Sequence, residues 1–190
     1  MLSPDRLTVK SADALNDALS HARRNGNPLV YDAHLLSALL EQADSIVVPV
    51  LQKIGVGVPQ LRETLEREIA RYPRQSGANP SLARELNAVL DQAELAARSM
   101  SDEFVSTEHL LLALSDAKGT ESKGALNAVG ATRTALLDAI ESNLRGLHRR
   151  LGGDTRLEDF SLAACGPPVI LQSGDGPGAE QSSRRGYRQR

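Results

Sequence analysis

The segment Asp102-Glu103-Phe104-Val105-Ser106-Thr107-Glu108-His109-Leu110-Leu111-Leu112-Ala113-Leu114 points to the fold, because its pattern recurs at residues 27–39. Sliding the chain along itself by 75 residues sets Val30, His34, Leu35, Leu36, Ala38 and Leu39 on Val105, His109, Leu110, Leu111, Ala113 and Leu114. The same offset holds outward in both directions. Leu15, Ala18, Ala22 and Arg23 fall on Leu90, Ala93, Ala97 and Arg98, and Leu51, Gly55, Leu61 and Glu66 fall on Leu126, Gly130, Leu136 and Glu141. With Leu7 on Leu82, positions 7–66 carry 15 identities and no gap. Leu and Ala agree often by chance, but the paired Gly, His and Val residues do not. The chain therefore reads as a duplicated unit.

Each copy reads as helices. Ser11, Leu15, Ala18, Leu19 and Ala22 recur at the three-and-four spacing of one helical face, with Thr8 as N-cap and Asn25-Gly26-Asn27-Pro28 as the stop. A second helix is expected over about Asp32–Glu41, a third over Ile46–Ile54 closed by Gly55, and a fourth from Pro59 to about Ala70. The second copy retraces this through Leu86, Val89, Leu90, Ala93 and Ala97, then Ser106 as N-cap of Thr107–Ser115, a short helix ending at Gly130, and a last helix over about Thr132–Leu144. The Pro73–Pro80 stretch suits an exposed connection. Four short helices bury little surface alone, so two copies should share a core as a pseudo-twofold pair. The expectation is an all-α domain over residues 1–145, with repeats at about 6–72 and 81–145.

Composition narrows the function. Aromatics are 3% and Trp is absent, so small and branched aliphatic side chains must fill the core. Residues 1–145 hold 15 Lys and Arg against 19 Asp and Glu, which argues against a broad nucleic-acid surface; Arg23-Arg24 reads as a solvated pair. The longest purely apolar run is Leu110–Leu114, so neither a signal peptide nor a membrane span is expected. Cys165 stands alone, which leaves no disulfide framework and suits a reducing cytoplasm. No Gly-x-x-x-x-Gly-Lys-[Ser/Thr] occurs to cradle nucleotide phosphates, and no Gly-x-Ser-x-Gly occurs to present a nucleophile. His34 and His109 sit at equivalent places without a second ligand at metal spacing. They read as fixing the first turn of a buried helix, and no metal or other cofactor is expected.

The segment Asp102–Leu114, with Arg6-Leu7-Thr8, His34–Leu40, Gly130-Ala131-Thr132 and the turn Pro73-Arg74-Gln75-Ser76-Gly77, resembles the tandem-repeat N-terminal domain of Clp ATPases, most closely its disaggregase branch, ClpB. The resemblance covers roughly residues 6–145. It implies a non-catalytic module that engages unfolded or aggregated polypeptide, or an adaptor, for a ring that threads polypeptide through a pore; the isolated domain is expected to be monomeric. Two rival readings are a stand-alone relative that regulates a Clp ring made by other chains, and a small helical enzyme or nucleic-acid binder.

The resemblance also implies that Thr8, Asp102 and Glu108 are polar residues used in handling clients. Each has a plainer role: Thr8 as an N-cap, Glu108 as a carboxylate at the positive end of the helix begun at Ser106, and Asp102 as a turn residue. Leu90 and Leu110 are candidates for the apolar wall of a client groove, and their plainer role is core packing. Residues 146–190 carry Gly152-Gly153, Gly166-Pro167-Pro168 and Gly174–Gly178 without a helical stripe. They are expected to be disordered or foreign to the family.

Overall fold

A computed structural model describes residues 4–75, 77 and 79–150, with the backbone alone at residue 4 and at 144–150. After a 3-10 turn at Pro4–Arg6 come α1 (Val9–Asn25), β1 (Leu29–Val30), α2 (Asp32–Glu41), α3 (Val47–Lys53) and α4 (Val58–Arg71). The second repeat is β2 (Ser81–Leu82), α5 (Arg84–Ser99), α6 (Thr107–Asp116), α7 (Glu121–Ala128) and α8 (Arg133–Arg150). The fold is all-α, as the periodicity predicts. The last helix runs past the expected end near Leu144. The expected irregular tail, from residue 151 onward, lies outside the described residues.

The helix ends follow from local chemistry. Thr8 caps α1 through its side-chain oxygen, which accepts from Ser11 N–H at 3.3 Å. That helix closes at Gly26, whose φ of +69° is left-handed, with Gly26 N–H on Arg23 O and Asn27 N–H on Ala22 O. The second repeat makes the same closure with Ser101 at φ +61°, Ser101 N–H on Arg98 O and Asp102 N–H on Ala97 O. Gly55 and Gly130 end α3 and α7 in matching left-handed turns.

Packing centres on two helices. Every residue of α2 except Glu41 is buried, and α6 is buried except at Glu108 and Asp116. A helix apolar nearly all round belongs in an interior. Here α2 and α6 pack on each other across the repeat boundary, while α1 and α5 flank them. Cross-repeat contacts come in mates: α1 meets α6 as α5 meets α2, and α3 meets α8 as α7 meets α4. That exchange is the pseudo-twofold. The fully buried leucines at 35, 36, 39, 40, 110, 111, 112 and 114 lie on the central pair, each contributing about 1.5–3 kcal/mol of burial.

The extended segments obey the same exchange. β1 pairs in parallel with β2, with Leu29 opposite Ser81 and Val30 opposite Leu82. An isolated parallel bridge joins Leu7 to Val105, the same pair with repeats swapped. Each repeat thus lends its first extended residue to the other. Polar caps cross the boundary too: Asp32 Oδ2 accepts from Ser122 N–H at 2.7 Å, holding the start of α7. At the mate position Ser45 Oγ accepts from Val47 N–H at 3.2 Å and reaches Thr107 Oγ1 at 3.5 Å.

Candidate functional site

The two histidines organise the ends of α2 and α6. Nδ1 of His34 accepts from Tyr31 N–H at 3.0 Å, and Nδ1 of His109 accepts from Ser106 N–H at 3.0 Å. Each ring closes the first turn of a buried helix, as read from the sequence. With Nδ1 accepting, the proton of the neutral ring sits on Nε2. His34 Nε2 then meets Asn27 Oδ1 at 3.1 Å, and His109 Nε2 lies 3.0 Å from Asp102 Oδ2. Asn27 and Asp102 are equivalent at the 75-residue offset, both delivered by the left-handed closure of the preceding helix. The Asp102 contact is close but too poorly aligned for a linear hydrogen bond.

The two environments differ in charge. Burial, with repulsion from His21, pushes the His34 pKa down to about 4, outweighing its backbone bond to Tyr31. Its partner is a neutral amide. Tyr72 stacks on Tyr31 at 3.9 Å and lies 5.5 Å from the His34 ring; burial and nearby carboxylates hold its hydroxyl well above the ordinary tyrosine range. Among the described residues no such aromatic cluster surrounds His109, whose partner is a carboxylate with its side chain 27% exposed.

Around the Leu7–Val105 bridge the start of α1 meets the start of α6. Thr8 N–H donates to Val105 O at 3.1 Å, and Asp102 and Glu108 lie three residues to either side of Val105. Asp102 and Glu108 are half-buried, and Thr107 Oγ1 donates to Glu108 Oε2 at 3.4 Å. The structure therefore brings these positions to one junction. It does not expose them equally. Thr8 is 4% exposed and its hydroxyl is engaged with Ser11, so its visible role is the cap. Leu90 at 5% and Leu110 at 0% belong to the core where α5 packs on α6, which corrects their placement as a groove wall: no ligand reaches Leu110 in this conformation.

Two residues were missed by sequence reasoning. Asn27 was read only as part of a helix stop, although the repeat offset sets it opposite Asp102. Phe104 is a half-buried aromatic between Asp102 and Glu108 in sequence, whereas Leu90 and Leu110 are buried. Among the described residues no group of three or more His, Cys, Asp or Glu is placed to hold a metal, and no helix is long and apolar enough to cross a membrane.

The family model for the Clp repeat N-terminal domain matches residues 6–129, so the chain belongs to that family. The chaperone protein ClpB of Mycobacterium leprae is 36% identical over 171 residues, covering 89% of this chain and 20% of the relative. ClpB of Corynebacterium glutamicum is 39% identical over 146 residues, covering 75% of this chain and 17% of the relative. The chain thus spans a fifth or less of the length of these curated relatives. The Hsp104 N-terminal domain of Candida albicans shares the fold at TM-score 0.61 and 20% identity, covering 80% of this chain and 94% of that domain. A ClpV N-domain in complex with a VipB peptide matches at TM-score 0.58 and 26% identity, covering 70% of this chain and 83% of that chain.

Proposed function

We propose that the chain is a non-catalytic interaction module that engages unfolded or aggregated polypeptide in the cytoplasm, as part of, or beside, a Clp disaggregase. The same reading takes residues 1–145 as the working domain and 146–190 as an extension. The contact surface is the junction around the Leu7–Val105 bridge. Asp102 and Glu108 offer acceptors to a client's backbone N–H groups or basic side chains, Phe104 offers apolar surface, and Thr8 holds the junction in place through its cap. The observation carrying this reading is the half-exposed carboxylate pair flanking a strand-like bridge where two repeats meet. A polar rim beside apolar surface suits an extended segment.

A surface of so few residues gives affinity of about micromolar or weaker, because ordering a flexible client opposes binding; several copies in a ring raise it through avidity. The ClpV complex with a VipB peptide favours a second reading, in which the same junction docks a defined adaptor segment. Calorimetric titration of a reduced, carboxymethylated model protein tests the first. Binding weakened several-fold by Glu108→Ala and Asp102→Ala, in variants that keep the wild-type melting temperature, supports it. Unchanged binding in both overturns it.

A further inference from the structure

A second surface, independent of the junction above, lies at the far end of α1. Arg23 and Arg24 from the last turn of α1 and Arg74 from the connector line a groove of about 440 Å³, with Gly26, Gln75 and Gly77 on its floor and edges. The groove is built from segments distant in sequence and held by hydrogen bonds. Gln75 N–H donates to Gly26 O at 2.7 Å, and the fully buried Asn27 donates from Nδ2 to Pro73 O at 2.9 Å. These bonds hold the connector that carries Arg74 against the end of α1 that carries Arg23 and Arg24.

None of the three guanidinium groups has an ion-pair or hydrogen-bond partner among the described residues, and no carboxylate lines the groove. The equivalent of Arg23 in the second repeat behaves differently: Arg98 is paired with Glu94 at 2.7 Å, whereas the residue four before Arg23 is Leu19. Attraction to the negative end of α1 accounts for a basic residue at 23 or 24. It does not account for Arg74, which lies outside any helix.

We propose that this groove docks an extended acidic segment of another protein. Guanidinium groups recognise carboxylates in two-pronged hydrogen bonds, and three of them around a preformed groove select a run of carboxylates over a single anion. A nucleic acid fits less well, because the domain carries more acidic than basic residues and the three arginines are too few to displace counterions over a long footprint.

The experiment titrates the full chain with decaglutamate and follows backbone amide shifts. Shifts are expected at Gly26, Arg74 and Gly77, saturating below about 1 mM at about 20 mM salt and weakening at least tenfold at about 200 mM. Arg23→Gln with Arg74→Gln is expected to remove the binding, while Arg98→Gln leaves it intact. Both variants change exposed side chains, and unchanged melting temperatures establish that they fold. Absence of shifts at these glycines, or equal binding by the double variant, overturns the proposal. So does inorganic phosphate binding as tightly as decaglutamate, or a single-stranded oligonucleotide shifting the same residues at lower concentration.

Discussion

Leu7 pairs with Val105 by the same backbone bridge that joins Leu82 to Val30, yet Leu7 is 4% exposed and Leu82 40%. The pseudo-twofold repeats the backbone and not the burial. Leu7→Ala should therefore cost about 2–3 kcal/mol, near the low end for a buried leucine, and Leu82→Ala less than about 1 kcal/mol. Urea unfolding midpoints measured side by side check the difference, and equal losses would show that burial does not set the cost at these two positions.

The left-handed closures allow a second comparison. Ser101 holds φ +61° where its mate Gly26 holds +69°. A side chain is strained there, so Ser101→Gly should stabilise the domain by about 0.5–1 kcal/mol. Gly26→Ala should cost about 1 kcal/mol, and conformation alone sets that cost because an added Cβ would meet Gln75 O at an ordinary 3.7 Å. Thermal unfolding of the two variants gives opposite shifts if the closures are equivalent.

His34 makes the fold sensitive to acid. Its folded pKa of about 4 lies below the ordinary 6.5, so between those values the unfolded chain binds a proton that the folded chain refuses. Its contribution is fully present above about pH 6.5 and is lost as pH falls toward 4, on the order of 3 kcal/mol in all. The surroundings explain why. Tyr31 N–H faces Nδ1, Asn27 faces Nε2, the Tyr72 ring lies beside it, and His21 on α1 repels a second positive charge while its own partner, Glu41, sits 3.1 Å from His21. Denaturant unfolding from pH 7.5 to 4.5 should show stability falling, and His34→Gln should flatten the slope even if its stability at pH 7.5 is lower. The same slope in both proteins would remove His34 as the cause.

Much of this was legible in the sequence. The helix ends were, because Gly26, Gly55, Gly130 and the prolines impose them locally, and α2 was expected over the residues where it is found. The duplication was legible from one offset. Which copy each extended residue would pair with was not, since a repeat offset says nothing about whether Leu7 joins Val30 or Val105. The two-residue strands are too short to show a period. α8 runs to Arg150, past the end expected near Leu144, because a helix tolerates the isolated Gly146. The site was legible in part. Family resemblance brought Thr8, Asp102 and Glu108 to one place, but a three-and-four apolar spacing marks Leu90 and Leu110 only as inward-facing, without saying whether the inside is a groove or a core.

The cap of α1 separates a structural role for Thr8 from contact with a client. Thr8→Ser keeps the hydroxyl that accepts from Ser11 N–H, whereas Thr8→Ala removes it and should cost about 1 kcal/mol of stability. If Thr8 acts only by holding the junction, Thr8→Ser should bind an unfolded model protein as the parent does, and calorimetry on both variants checks this. A loss of binding in Thr8→Ser at unchanged stability would make the side chain a direct contact.

Amide shift mapping tests whether polypeptide is engaged at the Leu7–Val105 junction. Titrating the isotope-labelled chain with an unlabelled, permanently unfolded protein should move the amides of Asp102, Phe104, Val105 and Glu108 together, in fast exchange, with a half-saturation in the micromolar range or above. In Glu108→Ala the shifts should need several-fold more ligand. Shifts confined to α3, α4 and α8, with the junction unmoved at saturation, would place client binding elsewhere.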